Sequence, residues 1–113
     1  MSDKKMVVGV GLTLADQVGI NSVFLGMEGV SIEQAQHMRD LREKLGLNEL
    51  GDIKLSELRR VDAMTIYSVE RGRLTWLEGA LAEAFKSKKV NGLLSDVVLG
   101  AYEQVQRALR TEE

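Results

Sequence analysis

Apolar and polar positions change rhythm partway along this chain. In "VVGVGLTL", Val8, Val10, Leu12 and Leu14 alternate with glycine or threonine, the period-two pattern of a strand that buries one face. For Leu14 to Gly26 two readings stay open: "SVFLGM" as a second short strand closing a hairpin, or a pair of short helices.

From Ser31 the period lengthens to that of a helix. "SIEQ" is a capping box, in which Ser31 and Gln34 satisfy each other's orphan amides. The helix it opens carries Ile32, Ala35, Met38, Leu41 and Leu45 along one side and stops at Gly46. Asp52 or Ser56 caps the next helix, predicted through "SELRRVDAMTIYSVER" as far as Gly72. A break is expected there, because "TWLE" (Thr75 to Glu78) is a second capping box opening a helix with Trp76, Leu77, Leu81, Ala84 and Phe85. "KSKKVNG" reads as a polar turn. The last helix, Leu93 to Arg110, buries Leu94, Val97, Val98, Ala101, Val105 and Leu109. The predicted fold class is mainly α: a small bundle of about four helices over 31–110, preceded by a glycine-rich apolar segment over 6–28 that forms a strand or hairpin. All of it is read as one domain, 1–113.

Composition narrows the chemistry. With 44% hydrophobic and 28% charged residues the chain sits in the soluble globular range. One Trp, two Tyr and two Phe leave the core to aliphatic side chains. There is no cysteine, hence no disulfide, thiolate nucleophile or cysteine-bound metal. There is no proline to break a helix. Two lysines before an apolar run imitate a signal peptide, but Asp16 and Gln17 end the run and no small-x-small cleavage pattern follows. No window is apolar enough for a membrane span, and the expected location is cytoplasmic.

The net charge of −2 exerts no general pull on nucleic acid. Between Met6 and Met38 no Lys or Arg occurs, while Asp16, Glu28 and Glu33 are acidic. That bears on "TLADQVGINSVFLG". It resembles the helix-turn-helix pattern of small bacterial regulators over about a dozen residues, through Leu14, Ala15, Val18, Gly19 at the turn, Ile20 and Leu25. The resemblance implies base contacts from Asn21 to Met27. A recognition helix offers polar or basic side chains to bases and phosphates, whereas this run is Asn21 and Ser22 followed by Val23, Phe24, Leu25, Gly26 and Met27. The segment is therefore read as packing surface.

Catalytic candidates are few. "GVG" after an apolar strand begins like a dinucleotide fingerprint, but Leu14 stands at the third glycine and no strand–helix alternation follows. His37, the single histidine, shares a narrow helical arc with Glu33, Asp40 and Lys44. Carboxylates flanking an imidazole suit a metal or an imidazolium; a solvated face of (i, i+4) pairs is the favoured reading. No nucleophile-elbow motif is present. The expectation is a non-enzyme with no metal and no cofactor.

Two functions follow. The charge-free N-terminal stretch would be an aggregation-prone edge if left bare, so it belongs in the core or under another chain. The first expectation is a protein-interaction or assembly subunit, its partners itself and other protein, associating through Val8, Val10, Leu12, Leu14, Val23, Phe24 and Leu25. The alternative is a nucleic-acid-binding regulator using Arg59, Arg60, Arg71, Arg73, Lys86, Lys88 and Lys89. It is not favoured, because Glu57, Asp62, Glu70, Glu78 and Glu83 interleave those cations and leave a balance of only +2 from Leu55 to Asn91.

Overall fold

The computed structural model describes residues 6–50, 64–87 and 92–111, excluding the side chains of 92–94 and 111. The elements are β1 (Val7–Leu12), α1 (Leu14–Gly26), α2 (Ile32–Lys44), a 3-10 turn (Leu47–Glu49), β2 (Thr65–Glu70), α3 (Arg71–Lys86) and α4 (Gly92–Thr111). The fold is mainly helical, with four helices and a two-stranded antiparallel sheet among the described residues.

The alternation in β1 does what its period dictates. Val8, Val10 and Leu12 face inward and are buried, while Val7, Gly9 and Gly11 face outward. Its partner is β2, in the register Val7↔Glu70 through Leu12↔Thr65, so the hairpin with "SVFLGM" does not form. β2 also corrects the helix expected through "MTIYSVER". Thr65, Ile66, Tyr67 and Val69 are β-branched or aromatic, and pairing with a strand far back in the chain outweighs the helical period. The earlier part of that predicted helix, with its caps Asp52 and Ser56, lies outside the described residues.

Leu14–Gly26 is a single helix, so neither two short helices nor a helix-turn-helix is present. A capping box opens it: Thr13 Oγ1 accepts from Asp16 N at 3.2 Å, and Asp16 Oδ2 accepts from Thr13 N at 3.0 Å. Gly19, the supposed turn residue, lies mid-helix, where α1 crosses α4. A Cβ there would stand 2.8 Å from Val97 Cγ1 and 3.0 Å from the Val97 carbonyl oxygen.

α2 opens with the predicted Ser31–Gln34 capping box and ends before Gly46, at φ +71°. Met38, Leu41 and Leu45 are buried, but Ile32 is 81% exposed. Residues 32, 35, 38 and 41 are three apart, and at about 100° per residue each step drifts about 60° around the helix. Ile32 and Leu41 therefore point to opposite sides. α3 begins at Arg71 after a strand, and Thr75 is no cap, since its hydroxyl donates to the Arg71 carbonyl at 3.0 Å. α4 buries Val98, Ala101, Val105, Ala108 and Leu109, while Val97 is half-buried; the Leu94 side chain lies outside the described residues. The inward face of the sheet and all four helices contribute to one apolar cluster.

Candidate interaction surfaces

Of the residues expected at an interface, Val8, Val10, Leu12, Val23 and Phe24 are in the core of the chain. Leu14 is half-buried, and Leu25 stands 72% exposed. The outward positions of the same strand, which the alternation also specified, are the ones left facing away from the core.

That outer sheet face is apolar. Gly9 and Gly11 carry no side chain, and Ile66 from β2 lies across both: Cβ atoms on these glycines would fall 3.2 Å from Ile66 Cγ2 and 3.2 Å from Ile66 Cδ1. Met64 covers the end of the ribbon, its Sδ only 2.6 Å from where a Cβ of Gly11 would be. Ile66 is 67% exposed, and Val7, Met64 and Met6 are also exposed. Ser68, opposite Gly9, and Glu70, opposite Val7, are the polar residues that β2 adds.

A second surface is a groove of about 380 Å³ between α1, the start of α2 and α3. Trp76 forms part of its wall, with the His37 ring stacked on it (centroids 5.0 Å apart, planes at 14°) and Phe24 tilted against it at 6.0 Å. Along α3 the lining continues through Gly79, Ala80, Glu83, Ala84 and Ser87; α1 contributes Ser22, Val23, Gly26 and Met27.

The polar residues inside the fold serve cohesion. Gln17 is buried, and its Nε2 donates to the Leu45 carbonyl at 2.7 Å and to the Tyr67 hydroxyl at 2.8 Å. Asp16 is buried beside Gly100. Burial pushes its carboxyl above the ordinary value near 3.8, against the lowering pull of its hydrogen bonds with Thr13.

Arg71 and Arg73, two of the basic candidates, turn inward. Arg71 Nη1 donates to the Leu109 carbonyl at 3.2 Å, placing a cation at the end of α4 where the helix dipole favours one. Arg73 Nη1 lies 3.1 Å from His37 Nδ1. Its Nε is 3.1 Å from Asp40 Oδ2 and 3.8 Å from Glu70 Oε1, ion pairs without a hydrogen bond from that nitrogen. The arc of Glu33, His37, Asp40 and Lys44 thus delivers two of its members to one arginine. Among the described residues no group of three His, Cys, Asp or Glu is placed to hold a metal. Lys86 is exposed; Arg59, Arg60, Lys88 and Lys89 lie outside the described residues. No described helix is long and apolar enough to cross a membrane.

The chain matches no protein-family model, no curated protein and no solved structure.

Proposed function

We propose that this chain is a non-catalytic assembly subunit that associates with itself through the outer face of its two-stranded sheet. One observation carries the reading: Ile66 lies exposed across Gly9 and Gly11 with Met64 against Gly11 at the same end of the ribbon, and Val7 is exposed on the same face at its other end. Isolated exposed apolar residues are ordinary, whereas a contiguous group calls for a cover. Burying such surface contributes roughly 25 cal/mol per Å². The two glycines leave room for Ile66 and Met64 to lie over the ribbon, and those side chains form the apolar surface that a second copy would meet. A two-fold contact is self-complementary, so one apolar face serves both partners.

Nucleic-acid binding is the less favoured function, since Arg71 and Arg73 are half-buried and engaged by other groups of this chain. The test is light scattering at low and high salt, with and without mixed-sequence DNA and RNA. A salt-resistant oligomer that Ile66→Lys converts to monomer, with the thermal midpoint of the dissociated chain preserved, is the expected result. A monomer at every concentration, or an oligomer indifferent to Ile66→Lys, refutes the sheet-face reading. Mass gained with nucleic acid and shed at high salt would restore the alternative.

A further inference from the structure

The groove between α1 and α3 is a different surface from the sheet face and has its own chemistry. From Thr75 to Ser87 its α3 wall runs for about 18 Å of helix axis, over three turns. That wall presents Gly79, Ala80 and Ala84 to the opening, side chains short enough to let another backbone come close. Gly79 is open: a Cβ on it would meet nothing within 4 Å. Trp76 supplies a large apolar contact at one end.

The electrostatics give the occupant a sign. Among the described residues Glu83 is the sole ionisable residue in the lining, and it is exposed on α3. The opposite wall is the last turn of α1, which carries no basic residue. That helix end holds the negative pole of its dipole, and exposed Glu28 follows directly. Lys86 belongs to the last turn of α3 and is not part of the lining. A long, mostly apolar groove with small residues along α3 and the Glu83 carboxylate in its lining matches the complementary face of an amphipathic helix.

We propose that this groove binds an amphipathic α-helix of another protein, its apolar face seated on Trp76, Gly79 and Ala80 and a Lys or Arg along its edge paired with Glu83. A helix fits the length of the α3 wall, and the cation answers the charge of Glu83, which no other described lining residue matches. The site is independent of the self-association reading.

Trp76 is the chain's only tryptophan and lines the groove, so its fluorescence reports occupancy. The probe is a lactam-stapled helical peptide with Leu and Ala on one face and Lys along both edges, preorganised so that folding does not mask binding. Its counterpart carries Glu in place of every Lys. Both are titrated into the full chain and into the Ile66→Lys variant, which removes self-association through the sheet. The expected result is a saturable shift of Trp76 emission with the Lys peptide, roughly tenfold or more weaker binding of the Glu peptide, and reversal of that preference in Glu83→Lys. Gly79→Leu should fill the groove and abolish the response while leaving the melting curve intact or improved. No saturable shift with the Lys peptide, equal affinity for both peptides, or binding that survives Gly79→Leu would each overturn the proposal. So would a concentration-dependent emission change in peptide-free Ile66→Lys protein that Gly79→Leu removes, because the groove would then hold a second copy of this chain.

Discussion

Gln17 Nε2 donates to the carbonyl of Leu45 at 2.7 Å, tying the first turn of α1 to the end of α2 from inside the fold. The same nitrogen donates to Tyr67 Oη at 2.8 Å and so reaches β2 as well. Leu45 caps the C-terminus of α2, where carbonyls lack intrahelical partners. Gly46 turns the chain at φ +71° against the Gln17 amide and the Tyr67 ring. Gln17→Leu should therefore cost about 1–3 kcal/mol, since it leaves a buried carbonyl unsatisfied. Gln17→Glu should cost at least as much, because an ionised carboxylate cannot donate. Tyr67→Phe, removing one acceptor of the two, should cost about 1 kcal/mol. Urea unfolding of the single variants and of the Gln17→Leu/Tyr67→Phe double variant checks this. Strictly additive losses would show that the two side chains act separately.

Asp16 ties stability to acidity. Its carboxyl titrates above its unfolded value in the folded chain because burial disfavours the charge. The folded state thus binds the proton more tightly than the unfolded one. Asp16's contribution is most favourable below the unfolded value near 3.8, is lost as pH rises through the folded value, and is constant above it. Asp16→Asn keeps an oxygen for the Thr13 amide and carries no charge. The variant should melt at a higher temperature than the parent at pH 7, and that gain should disappear toward pH 3. Equal gains at both pH values would remove ionisation as the cause. Thermal unfolding followed by circular dichroism across that range decides it.

The arginine–histidine contact fixes a tautomer. A guanidinium only donates, so His37 Nδ1, 3.1 Å from Arg73 Nη1, must accept, and the ring proton of this contact resides on Nε2. Long-range ¹H–¹⁵N correlation should show the Nε2–H form in the native chain. In Arg73→Met that preference should weaken, and the link from α2 to the start of α3 should loosen with it. A native Nδ1–H form would contradict the contact.

Much of this fold is legible in the residues because it follows from local rules. The Ser31 capping box, the Gly46 stop, the α4 stripe and the Val8–Val10–Leu12 alternation each rest on neighbours within a turn or two. The rest depends on distant partners. "TIYSVE" satisfies a helical period as part of a longer window and becomes a strand because β1 lies ready to pair with it. Its β-branched and aromatic residues were the available signal. Ile32 falls on the core side only when positions are counted in threes, a count that drifts half a turn by Leu41. The surfaces were least legible. The glycines at 9 and 11 marked the N-terminal strand as unusual, but the exposed apolar face they help make also needs Ile66 and Met64 from residues more than fifty positions away. The groove required α1 and α3 to splay around Trp76, which no single stretch specifies.

Two glycines in helices should respond in opposite ways to the same added methyl group. At Gly19 a Cβ meets Val97 at 2.8 Å, including its backbone carbonyl at 3.0 Å, so α1 and α4 must separate to admit it. Overpacking of this kind costs typically about 1–3 kcal/mol, more than the roughly 1 kcal/mol that alanine gains over glycine in a helix. At Gly79 the Cβ meets nothing within 4 Å, and only the propensity gain of about 1 kcal/mol remains. Gly19→Ala should therefore lower the thermal midpoint and Gly79→Ala should raise it. Differential scanning calorimetry on the pair, at one protein concentration, measures both signs. Stabilisation by Gly19→Ala would mean that the helices pass farther apart than 3.0 Å at Val97 implies. Destabilisation by Gly79→Ala would mean that something already fills the groove in solution.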